Sequence, residues 1–398
     1  MAEQGMTARP EIEPLDDSSV AAWRREFPVL ARRTYLNSGS YGALALSVKA
    51  AMEDYLRLRL EEGADWGHWV GRNEAVRAGL AQLFGVRPAE IAVTTSASAG
   101  INAFASCLDF SGKRNRVVVS DFEFPTNGQI WHAQERRGAE VVHAPVADDG
   151  HIPVEHFERL IDERTRVVAV THVCYRNGRR LDVEAIARIA RERGALFMLD
   201  CYQSAGSQVL PLGELDVDVA VGGTLKYMLG TAGVGFMYVR ESMIEQLVPT
   251  CTGWMAQRDP GAMDITGYDP APDARRFESG TPPVVGCYAT EAGLAILERA
   301  GMPAIEQRIV TLSGRCLDRL SNAGIATATP REDALRGPTV AIRSTNDVAL
   351  VERLAADGIV TSCRDGNVRA SFHFYNDDSD IDALLAALER RRPLVVSS

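Results

Sequence analysis

A single lysine, Lys226, lies inside the apolar segment 222–230 (GGTLKYMLG), directly after residues that are typical of a buried strand. Burial disfavours the charged ammonium group and therefore favours the neutral amine. A neutral amine is a nucleophile that forms Schiff bases with aldehydes. The segment thus predicts covalent chemistry on a carbonyl compound; the alternative is a surface lysine whose stem lies along apolar neighbours.

Asp200, Phe124 and the turn that contains Ala97 and Ser98 supply further groups for such chemistry. A carboxylate at Asp200 can keep a pyridinium nitrogen protonated. The strand-to-helix turn 94–102 (TTSASAGIN) offers free backbone N–H groups and hydroxyls to a phosphate, and Phe124 can stack on a pyridine ring. Each residue has a simpler interpretation as a helix cap or a core residue, but their position at successive strand ends favours pyridoxal 5'-phosphate as the cofactor.

The elements that position these residues are short apolar runs rich in β-branched side chains. Seven of them predict strands: 91–95, 116–121, 140–146, 166–173, 195–200, 218–223 and 234–240. Because they lack polar alternation, they are typical of a largely parallel sheet covered by helices on both faces. Ligands bind beyond the carboxyl ends of such strands, which is where the candidate residues fall. After about residue 275 the pattern changes to long helices with short strands, which predicts a smaller α+β C-terminal domain.

Composition narrows the class of protein. The chain has 398 residues, is 46% hydrophobic and 24% charged, and carries a net charge of −10, which argues against nucleic acid as a partner. No apolar run approaches the roughly 18 residues of a membrane span, and the first residues do not resemble a secretory signal. The seven cysteines form no CxxC pair, which favours reduced thiols without a metal site. We therefore expect a cytoplasmic enzyme with no membrane partner.

The motif segments resemble those of fold-type I pyridoxal-phosphate enzymes of the class V aminotransferase group, which includes cysteine desulfurases, kynureninases and epimerase-like proteins. LDCYQSAG is similar to the group's D-x-x-Q segment, which implies Asp200 for the pyridine nitrogen and Gln203 for the ring hydroxyl. GGTLKYMLGTAGVGFMYVR is similar to the segment that carries the aldimine lysine, which implies Lys226. The resemblance covers nearly the whole chain and implies the fold-type I architecture.

Two C-terminal segments extend the resemblance to the substrate and to a second subunit. ARRFESGTPPV (274–284) resembles the R-F-E-x-G-T-P segment, whose threonine, here Thr281, reaches the phosphate of the neighbouring subunit, so a homodimer is implied. NVRASFHFYNDDSDID implies Arg369 as the residue that binds the substrate carboxylate. The domains expected on this basis are an N-terminal arm (1–34), a large cofactor-binding domain (35–274) and a small C-terminal domain (275–398).

Departures from the group's patterns bear on the reaction. Cysteine desulfurases stack a histidine on the cofactor, whereas this chain has Phe124 in SDFEFPTN, as kynureninases do. TGWMAQ is also similar to a kynureninase segment, which implies Trp254 as a phosphate contact. Leu225 replaces a histidine or tyrosine that reaches the phosphate in relatives, so Thr224 or backbone is expected to compensate. Cys363 lacks the long loop of the desulfurase cysteine, which favours an ordinary thiol over a persulfide carrier.

The substrate is expected to be an α-amino acid bound as a free small molecule. Arg176 is a candidate for a substrate carboxylate, with a surface salt bridge as the equal alternative. Asn37 and Tyr41, in YLNSGSYGALA, are candidate substrate contacts, and loop geometry is the simpler explanation. We favour a β-lyase acting on a cysteine-derived or kynurenine-like substrate. The alternatives are a class V aminotransferase and an amino-acid epimerase, with a non-enzymatic cofactor-binding module as a remote one.

Overall fold

The computed structural model describes residues 15–398, so the first 14 residues of the predicted N-terminal arm lie outside the described part. The strands are β1 (Thr34–Tyr35), β2 (Ile91–Thr94), β3 (Arg116–Ser120), β4 (Glu140–Ala144), β5 (Thr165–Thr171), β6 (Leu196–Asp200), β7 (Val219–Gly223), β8 (Gly235–Val239), β9 (Thr339–Arg343), β10 (Ile359–Val360), β11 (Ser362–Arg364) and β12 (Asn367–Ser371).

The same part contains twelve α-helices. They are α1 (Asp17–Arg24), α2 (Leu46–Glu61), α3 (Trp66–Phe84), α4 (Ala97–Ser106), α5 (Pro125–Ala133), α6 (Val154–Leu160), α7 (Val183–Glu192), α8 (Glu241–Ile244), α9 (Val284–Ala300), α10 (Met302–Asn322), α11 (Asp347–Ala356) and α12 (Asp378–Arg390).

The large sheet has the strand order β2-β8-β7-β6-β5-β3-β4. Strands β4, β3, β5, β6 and β7 run parallel to one another, and β8 runs antiparallel to both β7 and β2. Each of the seven strands expected from the sequence is present, so the prediction of a mostly parallel seven-stranded sheet is confirmed. The parallel arrangement brings the ends of β3, β5, β6 and β7 to one edge.

Both faces of this sheet are buried, as the lack of polar alternation predicts. Val118 and Leu199 lie on the face that packs against α3 and α9, whereas Val117 and Met198 lie on the face that packs against α4 and α5. The sheet is therefore the middle layer of three, and only its edges are open to a ligand.

The C-terminal part has its own core between the antiparallel sheet β11-β12-β9 and helices α10, α11 and α12. The N-terminal segment packs on this part. Helix α1 is held by an ion pair between Arg24 Nη1 and Asp380 Oδ2 at 2.8 Å, and β1 pairs in parallel with β10. Helix α9 follows the expected domain boundary at residue 275 but packs against α2 and α3, so the domain division stays a prediction.

Candidate active site

A cavity of about 290 Å³ opens at the carboxyl edge of the large sheet. It brings together six of the residues singled out in the sequence: Lys226, Asp200, Gln203, Phe124, Ala97 and Ser98. Small-ligand sites in proteins begin at roughly this volume. The structure thus brings these six residues together at one cavity, and their roles stay predictions.

Lys226 projects into the cavity from the loop after β7. Its Nζ lies 4.3 Å from the ring centroid of Tyr202 and 5.9 Å from that of Phe124. Burial lowers the pKa of Lys226 to about 8; the Asp200 carboxylate opposes this shift, and nearby arginines reinforce it. About a tenth of the Lys226 amine is therefore neutral at pH 7, far more than for a lysine with the ordinary pKa of about 10.4.

The loop that carries Lys226 is fixed by its own backbone and by the segment 37–42. Gly230 N donates to Thr224 O at 2.9 Å, and Gly42 N donates to Leu225 O at 2.9 Å. A Cβ at Gly42 would collide with the Lys226 carbonyl, so the close approach requires glycine. The hydroxyl of Thr224 bonds that of Thr290 at 3.0 Å and is buried beneath the loop, away from the cavity.

Asp200 ends β6 and is buried beside Lys226. Its Oδ1 accepts a hydrogen bond from Tyr202 N at 2.9 Å, and burial raises its pKa, with the charge of Lys226 opposing the shift. A buried carboxylate needs a further donor or a cation. A protonated ring nitrogen would supply such a donor.

Gln203 donates from Nε2 to Gly39 O at 3.2 Å, which leaves its side-chain oxygen free to accept a hydrogen bond.

The opposite end of the cavity is the first turn of α4. Ser96 is the N-cap, and its hydroxyl accepts from Ala99 N at 3.1 Å. The other N–H groups of a helical first turn have no partner within the helix, and the helix dipole favours an anion there. Ser98 adds a hydroxyl, which lies 3.4 Å from that of Thr126. This end therefore suits a phosphate.

Phe124 covers one side of the cavity and contacts Tyr175 edge-to-face at 5.0 Å between ring centroids. It is 43% exposed, so a flat ring between Phe124 and the strand ends would bury apolar surface. Pyridoxal phosphate fits this set of groups: the Asp200 carboxylate, the Gln203 amide, the Lys226 amine, the Phe124 ring and the N-terminus of α4.

Arg369 of β12 lies behind the wall of the cavity, because Ser40 and Tyr175, which line the cavity, both accept hydrogen bonds from it. Arg369 is buried; its Nη1 donates to Tyr175 O at 2.7 Å, and its Nη2 donates to the hydroxyls of Ser362 at 2.8 Å and Ser40 at 3.0 Å. Among residues 15–398 it has no carboxylate partner within 4 Å, and burial lowers its pKa. A guanidinium in this state suits a substrate carboxylate.

Asn37 and Tyr41, two further candidates for substrate contact, do not line the cavity. Asn37 pairs through its backbone with Ser371 of β12, and its buried Oδ1 has no hydrogen-bond partner in the described structure. The Tyr41 hydroxyl is bound to the hydroxyl of Thr231 and to Ala232 N, each at 2.9 Å.

Trp254 and Thr281 do not line the Lys226 cavity. Trp254 packs against Trp66 at 6.1 Å between ring centroids, and Thr281 lines a separate small cavity beside Thr95. For Thr281 this is the placement expected if it serves a neighbouring subunit. The fit of both residues to the cofactor stays a prediction.

Glu123 was not singled out by the sequence. Its carboxylate accepts hydrogen bonds from Thr171 N at 2.9 Å, Ser120 Oγ at 2.5 Å and Asn127 Nδ2 at 2.6 Å. Burial raises its pKa to about 7.

Tyr202 was also not singled out by the sequence. Its position two residues after Asp200 was a usable signal, because residues in the turn after a strand lie at the same edge of the sheet as the end of that strand.

The sequence profile of the family described as "Aminotransferase class-V" matches residues 68–384. The chain belongs to the class V aminotransferase family. Members of this family are pyridoxal-phosphate enzymes, so the chain is an enzyme and pyridoxal 5'-phosphate is its cofactor.

The similar proteins carry different enzyme names. The uncharacterized aminotransferase YcbU of Bacillus subtilis is 32% identical over 90% of this chain and 94% of its own. The kynureninase of Deinococcus radiodurans is 32% identical over 89% of this chain and 88% of its own. The apo structure of a cysteine desulfurase from Thermococcus onnurineus superposes with a TM-score of 0.85 at 24% identity, covering 96% of this chain and 98% of that one. This likeness confirms the fold-type I architecture.

Other types of site are not found in the part of the chain that the structure describes. Residues 15–398 hold no group of three or more His, Cys, Asp or Glu side chains arranged for a metal ion. No helix in this range is long and apolar enough to span a membrane. The seven cysteines are all free thiols.

Proposed function

We propose that the enzyme is a β-lyase that cleaves a bond to the Cβ substituent of a cysteine-derived or kynurenine-like α-amino acid. The observation that carries the proposal is Phe124 at the cavity face, where a desulfurase would have a histidine. Among the described residues that line the cavity there is no histidine, so proton transfer rests on Lys226. The similarity to kynureninases over 89% of the chain supports the same reaction class.

In this proposal each residue has a role that follows from its position. Arg369 binds the substrate carboxylate, and Lys226 takes the α-proton at Nζ. Asp200 holds the pyridine nitrogen protonated, Gln203 bonds the ring hydroxyl, and the first turn of α4 binds the phosphate. Bound pyridoxal phosphate supplies the electron sink that stabilises negative charge at Cα. Closure of the cavity by the segment 37–42 excludes water from Lys226.

Cys363 is not suited to accept sulfur in this proposal. It stands opposite Val368 in the β11–β12 hairpin, whereas Ser362 stands opposite Arg369. Because successive residues of a strand point to opposite faces, the thiol lies on the face away from Arg369. Burial and the nearby Asp347 carboxylate raise its pKa, which disfavours the reactive thiolate.

We further propose that the enzyme works as a homodimer in which Thr281 of one subunit reaches the cofactor phosphate of the other. The position of Thr281 outside the Lys226 cavity of its own chain supports this. So do the exposed apolar side chains Met263, Ile265 and Tyr268 in the segment between Trp254 and Thr281, because they offer surface for a second copy.

Transamination is the second candidate, since the relative YcbU carries the name aminotransferase. It needs the same groups and differs only in the atom that Lys226 reprotonates. The test is to mix the cofactor-loaded enzyme with L-amino acids in the absence of a keto acid. A lyase turns over many times and releases sulfide, an anthranilate-like product or another Cβ fragment. Conversion that stops after one equivalent, with the cofactor left in its amine form, contradicts the lyase proposal and supports transamination.

A further inference from the structure

Arg364 and Arg369 lie close enough to Lys226 for their charges to lower its pKa, and Arg176 directly follows Tyr175, which lines the cavity. Arg364 and Arg369 form no ion pair with any residue of the described range 15–398. In the same range Arg176 forms an ion pair only with Asp365, whose Oδ2 lies 3.8 Å from Arg176 Nη1, and Arg176 Nη2 donates to the Asp121 backbone carbonyl. Uncompensated cations at the mouth of a site attract and orient anions.

The hairpin register places two of the three guanidinium groups on one face. Arg364 pairs with Asn367, and Ser362 pairs with Arg369. Residues paired across antiparallel strands share a face, so Arg364 and Arg369 project toward the same side. Arg369 on this side reaches Tyr175 O. Arg364 donates to the neighbouring Cys363 O at 2.7 Å, and it remains exposed.

Once the cofactor and the α-carboxylate are assigned, Arg364 remains without an acidic partner among the described residues, because Asp365 pairs with Arg176. Asp200 is committed to the ring nitrogen, and Glu123 is enclosed by three hydrogen-bond donors. Asp121 lies 3.3 Å from His143, and Asp347 lies near Cys363 on the other face of the hairpin. The substrate's α-carboxylate neutralises Arg369 alone.

We infer that the substrate is an α-amino acid whose side chain ends in an anionic group, and that Arg364, with Arg176 beside it, recognises that group. The inference rests on the proposed function only for an α-amino acid bound at Arg369. A side chain that extends from Cα toward the hairpin tip meets Arg364 first, because Arg364 lies nearer the tip than Arg369. Carboxylate and sulfinate groups both have the charge and paired oxygens that suit a guanidinium.

The test compares acids with their amides, which match in shape and differ in charge. The holoenzyme is incubated in D₂O with L-aspartate, L-asparagine, L-glutamate or L-glutamine, and exchange of the α-proton is followed by NMR. We expect the better acid to exchange with a kcat/KM about tenfold above its amide, as for one partly buried ion pair. Arg364→Gln should remove most of that difference while it changes the amide less than about twofold. Arg353→Gln, on the helix α11 that packs against the hairpin, is the matched control.

Three results overturn the inference. One is exchange that is absent or equal for acid and amide, as expected if a partner subunit's carboxylate neutralises Arg364. The second is an acid preference that survives in both Arg364→Gln and Arg176→Gln. The third is weaker cofactor binding in Arg364→Gln, which would assign this arginine to the phosphate. Exchange at Cα precedes the branch between elimination and transamination, so failure of the lyase proposal shows in the products and leaves this readout intact.

Discussion

Arg369 donates from Nη1 to the backbone carbonyl of Tyr175 at 2.7 Å, which joins β12 to the loop that follows β5. The guanidinium is therefore held at the junction of the small antiparallel sheet and the large parallel one. Any shift of one sheet against the other moves the group proposed to bind the substrate carboxylate. Substrate binding and the relative position of the two sheets are thus coupled through one side chain.

Replacement of this guanidinium tests its role in binding. Arg369→Gln should raise KM for the amino-acid substrate about a hundredfold, because the substrate carboxylate loses a charged bidentate partner. The visible absorption of bound cofactor should stay as in the wild type, since Arg369 does not line the phosphate end. Steady-state kinetics beside Arg353→Gln measures this, and an unchanged KM would remove Arg369 from the substrate site.

The pKa of Lys226 predicts how the apo protein takes up its cofactor. Only the neutral amine is nucleophilic, and burial places the pKa at about 8 rather than 10.5. The rate of uptake should therefore rise about tenfold per pH unit below 8 and level off above it. Stopped-flow absorbance from pH 6 to pH 10 tests this; a rate that still climbs steeply above pH 9 contradicts it.

Lys226→Ala should abolish turnover, with a loss of at least about 10⁴-fold, because both the covalent link and the proton carrier are removed. Lys49→Ala, an exposed lysine paired with Glu53, is the control and should retain full activity. Turnover that survives in Lys226→Ala would show that another group moves the α-proton.

Phe124 is predicted to hold the cofactor ring by stacking. Phe124→Ala should weaken cofactor affinity about threefold to tenfold, the range for loss of one aromatic contact. Phe124→Tyr keeps the ring and should keep the affinity. Equilibrium titration of the apo proteins compares the three. Equal affinities for all would leave Phe124 as a wall of the substrate site only.

A buried ion pair ties the glutamate of the RFESGTP segment to the large sheet. Glu278 Oε1 accepts from Arg77 Nη1 at 2.7 Å and from Val93 N at 2.8 Å, so it fixes β2 just before the turn that leads into α4. Arg77→Met should destabilise the protein by about 3–5 kcal/mol, because the Glu278 charge is left buried and unpaired.

Urea denaturation followed by circular dichroism measures this loss. Arg57→Met, which breaks an exposed helical pair with Asp54, is the control and should leave the unfolding midpoint nearly unchanged. The double variant Arg77→Met with Glu278→Met should be more stable than Arg77→Met alone, since no buried charge then lacks a partner. A single variant as stable as the wild type would contradict the role of the pair.

The thiol of Cys363 should be dispensable. Cys363→Ser is expected to keep kcat within about twofold, because the side chain lies on the hairpin face away from Arg369. Product analysis with L-cysteine as substrate checks this. A complete loss of sulfur release would restore the persulfide carrier and contradict the favoured reaction.

The sequence predicted the parts of the site that are local to a strand end. Asp200 and Lys226 could be placed because each follows a buried strand directly. Glu123 could not be placed in the site from the sequence. Its three hydrogen-bond donors come from separate segments, and their meeting depends on the order of strands in the sheet. Thr224 faces the interior instead of the cavity, since the turn after it reverses the chain within a few residues. The cofactor roles expected of Trp254 and Thr281 stay predictions, because neither residue lines the Lys226 cavity of its own chain.

The pairing of β1 with β10 has a consequence for how the enzyme is made. The segment 37–42 beside Lys226 follows β1, and the strand that pairs with β1 ends at Val360, far after Lys226 in the chain. A ribosome must therefore synthesise β10 before β1 can pair and hold that segment in place. Lys226 and Asp200 are synthesised well before β10, so a nascent chain that stalls short of β10 carries the amine of Lys226 without this neighbouring segment in place.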